Sequence, residues 1–250
     1  MNLVNSKYCF FHTKKGILLN GDCLKILPLF PKESIDLIIL DPPYDMWEEL
    51  IEKKIIEISL SLIKDSGNIL LFTKPPFDYK LRVAINKYFR DELIWIFDNG
   101  QAWVSNKLPL RLFQKIYHIV KSKDYYFNPR TGLNYSLTTR DSYRGGTSWQ
   151  GWKRTKFFKK SSDGTWIKSY LYFNKPNDGI PNSKPEKLIE VLIRVYSPDN
   201  GIVLDPFLGS GKTAIVCEKL NREWIGIEIE EKYCEIAKKE LRKENKTKLF

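Results

Sequence analysis

Asp41-Pro42-Pro43-Tyr44 places a carboxylate and an aromatic ring on a backbone with little freedom. Each proline fixes its own φ and pushes the residue before it to an extended conformation. Asp41 and the Pro42 carbonyl thereby form a rigid pair of hydrogen-bond acceptors. Such a pair suits one chemical problem. The exocyclic amine of a nucleobase is a poor nucleophile, because its lone pair is delocalised into the ring. Accepting both of its N–H groups draws the nitrogen toward tetrahedral geometry and stabilises the positive charge it gains on attack. Tyr44 is placed to stack on a base taken out of its duplex, since an atom inside the stack cannot be reached. Asp41, Pro42, Pro43 and Tyr44 are therefore the candidate catalytic residues. An ordinary turn would account for a lone Asp-Pro-Pro; the aromatic fourth residue and a second motif shift the balance.

That second motif is Leu204-Asp205-Pro206-Phe207-Leu208-Gly209-Ser210-Gly211, between an apolar run and a helical pattern. Glycines let the backbone approach a ligand, and a helix amino end offers free N–H groups. Glu228 follows Gly211 by 17 residues, at the end of the run WIGIE. A carboxylate so placed accepts both hydroxyls of a ribose. An adenosine-type cofactor lying across two adjacent strand ends is expected, held by Asp205, Pro206, Phe207, Gly209, Ser210, Gly211 and Glu228. Gly211-Lys212-Thr213 imitates the end of a phosphate-binding loop, but the required first glycine falls at Pro206. The third glycine of the dinucleotide fingerprint falls on Ala214, where alanine is sometimes tolerated. Taken alone, this segment still leaves a tight turn without a ligand open.

The elements that must position these residues alternate in type. Strands are expected over Gly16–Gly21, Ser34–Leu40, Gly67–Thr73, Glu92–Phe97, Phe113–Val120, Ile202–Leu204 and Trp224–Ile227. Helices are expected through Leu24, Leu27 and Phe30, then over Trp47–Ile63, Phe77–Tyr88 and Thr213–Leu220, with a last one from Glu231. Ser183-Lys184-Pro185-Glu186 has the form of a capping box opening a further helix. The continuous apolar run of Ser34–Leu40 is that of a strand buried on both faces. Repeated β-α-β units imply an α/β fold, a doubly wound and mostly parallel sheet whose ligands bind beyond the carboxyl ends of the strands. Both motifs fall at that edge.

Charge separates a third region. The chain has 41 Lys and Arg against 30 Asp and Glu, a net charge of +11. Residues 121–180 hold 12 Lys or Arg and 4 Asp or Glu, +8 of that total, together with 13 aromatic residues. Cations interleaved with aromatics suit phosphate contacts and stacking on bases. They equally suit a small β-rich unit with its own aromatic core and a solvated basic face, and both hold together. The expected division is a catalytic half over 1–120, a basic target-recognition insert over 121–180, and a cofactor half over 181–250. Arg140, Arg144, Lys153, Arg154 and Lys156 are the candidate DNA contacts. Cys9, Cys23, Cys217 and Cys234 are scattered, and His12 and His118 are isolated, so neither a disulfide framework nor a metal is expected. No apolar run is long enough to span a membrane, and Met1 to His12 lack an export signal; a cytoplasmic protein is expected.

With its DPPY and F-x-G-x-G motifs, the chain resembles the amino methyltransferases of DNA over nearly everything outside the insert. Its order, DPPY half, then insert, then glycine-turn half, is similar to that of the β group. The resemblance implies an S-adenosylmethionine-dependent enzyme acting on double-stranded DNA with the target base flipped out. It puts Asp41, Pro42 and Tyr44 around that base, with Asp41 also reaching the cofactor pocket, Glu228 on the ribose and Asp22 near the adenine. Lys184-Pro185 matches a segment whose lysine lies near the cofactor carboxylate. Two departures stand out: Ile180-Pro181-Asn182-Ser183 where the family has His-Pro-Thr-Gln, and Lys212 where threonine is common. Asp at position 41 goes with N6 of adenine more than with N4 of cytosine. RNA methylation and a non-catalytic DNA-binding subunit are the further alternatives. A homodimer and a companion restriction nuclease are partners the resemblance allows.

Overall fold

Every residue of Ile35–Leu40 is buried, and this strand sits in the middle of the sheet that organises the molecule. The computed structural model describes residues 3–43, 54–98, 110–132 and 166–247. Tyr44, Arg140, Arg144, Lys153, Arg154 and Lys156 lie outside the described residues, as do residues 47–53 of one expected helix. The strands are β1 (Cys9–His12), β2 (Gly16–Asn20), β3 (Ile35–Leu40), β4 (Ile63–Thr73), β5 (Phe89–Ile96), β6 (Phe113–Val120), β7 (Tyr170–Tyr172), β8 (Ile202–Asp205) and β9 (Glu223–Glu228). The helices are α1 (Cys23–Ile26), α2 (Ile55–Leu62), α3 (Phe77–Ala84), α4 (Glu186–Tyr196), α5 (Lys212–Leu220) and α6 (Glu231–Thr247).

The described strands form one sheet in the order β1-β2-β9-β8-β3-β4-β6-β5-β7. From β2 to β4 all neighbours are parallel; β6 runs antiparallel to both β4 and β5, and β1 antiparallel to β2. Alternate side chains feed two cores, as a sheet covered on both faces requires. Leu37, Ile39, Phe72 and Val203 pack beneath α4, α5 and α6, while Ile38, Leu40, Leu71 and Leu204 face α1, α2 and α3. From β3 the chain moves to β4 on one side, whereas β8 and β9 lie on the other. The switch in direction therefore falls between β3 and β8, where such sheets open a crevice.

Two expectations need revision, and one strand stands outside those expected. Ser183 does not cap α4: Pro185 is the N-cap residue and makes no side-chain cap bond. The Pro185 ring holds Lys184 off the helical region, so the helix starts only at Glu186 and Ser183 is out of reach. Its hydroxyl donates instead to Asp178 Oδ2 at 2.9 Å. Secondly, β1 lies outside the expected strands, because four residues in an N-terminal segment carry too little periodicity. Thirdly, the flanks of the 121–180 stretch are built into the sheet's surroundings. β7 pairs with β5, Tyr126 N–H donates to Ser66 O at 2.8 Å, and Asn128 N–H donates to Val195 O at 2.8 Å. Buried Asn68 ties this flank down, donating to Tyr126 O and Tyr196 O at 2.9 Å each while its Oδ1 meets His118 Nε2 at 2.7 Å. Arg130 and Trp166 form an antiparallel bridge, so the chain leaves and re-enters the core at neighbouring points.

Candidate active site

Asp41 follows β3 and Asp205 ends β8, so the two motifs leave adjacent strands on either side of the switch point. They border one cavity of about 570 Å³ at the carboxyl edge of the sheet. Its lining runs from Asp22 and Glu228 at one end, past the glycine turn, to Asp41, Pro42, Pro43 and Lys184 at the other. Sequence-distant candidates thus converge, which only the sheet order achieves.

The glycine turn is shaped by its partners. Asp205 Oδ1 accepts the Phe207 N–H at 3.0 Å, and Oδ2 accepts the Thr213 hydroxyl at 2.6 Å. Leu208 N–H donates to Ile227 O at 2.9 Å, and Leu208 folds down over Gly226, where a Cβ would meet its side chain at 2.4 Å. Gly211 is the one glycine-turn candidate that does not line the cavity. Its φ is +88°, and an added Cβ would stand 2.8 Å from the Ala237 Cβ, so its place is explained by packing of α5 on α6. Pro206, Phe207, Gly209 and Ser210 do line it.

Glu228 is 8% exposed, and both carboxylate oxygens are held by main chain: Oε2 by Gly209 N–H and Oε1 by Glu230 N–H, each at 2.8 Å. Each oxygen keeps a further lone pair for a ligand hydroxyl. Asp22 caps α1, accepting the Leu24 N–H at 2.9 Å. Sequence reading passed over Asn20, whose amide donates to Glu228 O at 3.0 Å and Ile229 O at 3.1 Å and so fixes the end of β9. It also passed over Gly226, although a glycine inside a strand is a signal of close approach.

At the other end Lys184, 7% exposed, pairs with Asp41 Oδ2 and donates to Asn182 O at 3.2 Å. Its ammonium lies 5.0 Å from the centre of the Phe72 ring. Asp205 is 5% exposed, and burial, with Asp41 and Glu228 nearby, pushes its carboxyl up to about 7 against the two hydrogen bonds it accepts.

Residues 35–239 match the model of the N6/N4 methyltransferase family, described as DNA methylase. The chain belongs to this DNA methylase family. The methylase is 30% identical over 247 residues to the Type II methyltransferase M.HpaI of Haemophilus parainfluenzae, covering 90% of this chain and 73% of the relative. It is 26% identical over 256 residues to the DNA adenine methyltransferase YhdJ of Escherichia coli (strain K12), covering 92% and 84%. The solved complex of M1.HpyAVI with SAM superposes with a TM-score of 0.64 at 25% identity, covering 90% of the methylase and 98% of that chain.

Methylases of this family draw the methyl group from S-adenosylmethionine, and the cavity fits that donor. Glu228 offers two anchored oxygens, Phe207 and Ile229 offer apolar wall, and the carboxylates of Asp41 and Asp205 suit a sulfonium cation.

Proposed function

We propose that this methylase transfers the methyl group to the N6 amine of adenine in double-stranded DNA, with the base extruded into the Asp41 end of the cavity. The observation that carries this reading is the convergence of the DPP turn and the glycine turn on one crevice. Glu228 takes the ribose hydroxyls, with Asp22 toward the adenine. Asp205, Pro206, Phe207, Gly209 and Ser210 take the middle of the donor. When bound, the donor supplies a methyl group already electrophilic on sulfur. Asp41 and the Pro42 carbonyl accept the two N–H groups of the target amine, holding its lone pair toward that methyl. With the methyl group supplied by the donor, Asp41 would also take up the proton that the amine releases. Pro42 is buried and Pro43 exposed, so the turn is clamped on one side and open to DNA on the other.

Adenine is favoured over cytosine by Asp at position 41 and by the similarity to a DNA adenine methyltransferase. The basic residues of the insert, Arg140, Arg144, Lys153, Arg154 and Lys156 among them, supply the DNA contacts. Residues 133–165 hold 7 Lys or Arg against 2 Asp, which supports narrowing target recognition to that part of 121–180. Similarity to Type II methyltransferases supports a restriction–modification setting, and a companion nuclease and a cytoplasmic location belong to the same reading. A homodimer rests on the family resemblance.

The test is transfer from labelled S-adenosylmethionine to unmethylated genomic DNA, with RNA as a parallel acceptor, followed by nucleoside analysis. Label in N6-methyladenine is expected. Label in N4-methylcytosine would keep the mechanism and overturn the base; label confined to RNA would overturn the substrate.

A further inference from the structure

The two places where this chain departs from the family pattern meet in space. Lys212, in place of the common threonine, lies 3.6 Å from Asp178 Oδ2. The same Asp178 carboxylate organises the Ile180-Pro181-Asn182-Ser183 segment, accepting the Ile180 N–H at 3.1 Å and the Ser183 hydroxyl at 2.9 Å. Lys212 and all four residues of that segment line the cavity. Altered segment and altered helix start therefore form one wall.

Lys184 lines the same cavity but has different partners. Buried against the Phe72 ring, it spends one N–H on Asp41 and another on the Asn182 carbonyl. That is the position of a counter-ion to the base-holding carboxylate. One N–H of this ammonium is left over, but its charge is already balanced by the Asp41 carboxylate. Lys212 has a different setting. It is the first residue of α5, the helix that the glycine turn opens, and the amino end of α5 has no side-chain cap because its N-cap is Gly211. A cation at a helix amino end works against the helix dipole, and an anion beside it offsets that cost. The pairing with Asp178 is longer than a hydrogen bond, so the Lys212 ammonium keeps its N–H groups for another acceptor. Lys212 and the uncapped turn of α5 together suit a small carboxylate entering from the cavity.

We infer that Lys212 holds the carboxylate of the donor's amino-acid moiety, and that Lys184 serves as the counter-ion of Asp41. This reverses the role that family resemblance gives Lys184. It rests on the placement of the donor proposed above, with its ribose at Glu228 and its amino-acid moiety at the glycine turn.

The experiment is calorimetric titration of the full chain with S-adenosylmethionine and with its decarboxylated analogue, which keeps the ribose and sulfonium and lacks the carboxylate. Lys212→Thr and Lys212→Gln should each weaken S-adenosylmethionine by about tenfold or more, the loss of a charge-assisted hydrogen bond. Neither should weaken the analogue. Lys184→Met should shift both compounds alike, leaving their affinity ratio as in the unaltered protein. Loss of the two compounds in equal measure in both Lys212 variants would overturn the assignment. So would undiminished binding in either variant, or a carboxylate-selective loss in Lys184→Met. Thermal melting of the unliganded variants checks that they fold. Glu228→Gln is the control on placement: it should weaken both compounds. If it weakens neither, the donor placement fails, whatever the lysines show.

Discussion

At the scale of single residues the site is a set of carboxylates with different tasks imposed by their neighbours. Asp41 faces Lys184, Asp205 is buried behind the glycine turn, and Glu228 is held by two main-chain N–H groups. Asp41→Ala should lower turnover by about 100-fold or more, since in the proposed reaction it removes an acceptor aligned with developing charge. Affinity for S-adenosylmethionine, read by calorimetry, should fall much less than turnover, since Asp205 remains beside the sulfonium. Asp41→Asn, which leaves one acceptor oxygen beside Lys184, separates loss of chemistry from loss of folding. Near-normal turnover in both variants would remove Asp41 from the reaction. The Asp205 carboxyl, pushed up to about 7, makes a pH-dependent prediction. Its raised value means that stability from the neutral form is complete below the ordinary carboxylate range and is lost as pH rises through about 7. A cationic donor prefers the ionised form, so donor affinity should rise over the same interval. Asp205→Asn should flatten that rise; an unchanged profile would assign it to another group.

The glycine turn shows how an element divides labour that residue types alone do not reveal. Gly209 and Gly211 both have positive φ, +53° and +88°. A Cβ on Gly209 would meet nothing nearer than 4.0 Å, whereas one on Gly211 would strike Ala237 at 2.8 Å. Gly211→Ala should therefore cost about 1–3 kcal/mol of stability in urea unfolding, from strain and overpacking together. Gly209→Ala should cost less stability and more donor affinity, since its methyl group enters the turn that faces the cavity. The reverse order of effects would contradict the packing described. The same element explains why the apparent phosphate loop is not one. Pro206 and Phe207 occupy the loop's beginning, Thr213 is bonded to Asp205, and Lys212 leans toward Asp178.

For the whole molecule the decisive feature is an uneven charge on a covered sheet. The core elements flanking the insert return to neighbouring points at Arg130 and Trp166, and seven of the chain's cations fall between 133 and 165. DNA affinity should fall steeply with salt. Replacing Arg140, Arg144, Lys153, Arg154 and Lys156 by Gln should reduce the slope of log K against log salt by roughly 0.9 for each phosphate that is no longer neutralised. Filter binding at several salt concentrations reads the slope, and S-adenosylmethionine titration should be unaffected. A slope equal to that of the unaltered protein would move the DNA surface away from these residues.

The sequence by itself determined the fold class, the placing of most core strands and the two motifs at the carboxyl edge. Those features are written locally: a continuous apolar run for β3, prolines that stop it at Asp41, and glycines directly after β8. It did not determine β1, the docking of β7 on β5, or the start of α4. Short strands gain their stability from pairing with distant neighbours, and the capping pattern at Ser183 lost to the proline behind Lys184. Nor did it show which cation serves which anion. Lys184 and Asp41 are separated by 143 residues, Lys212 and Asp178 by 34, and only the order of strands in the sheet brings each pair to the same crevice. Ion pairing depends on distance and burial in three dimensions, and a motif carries neither.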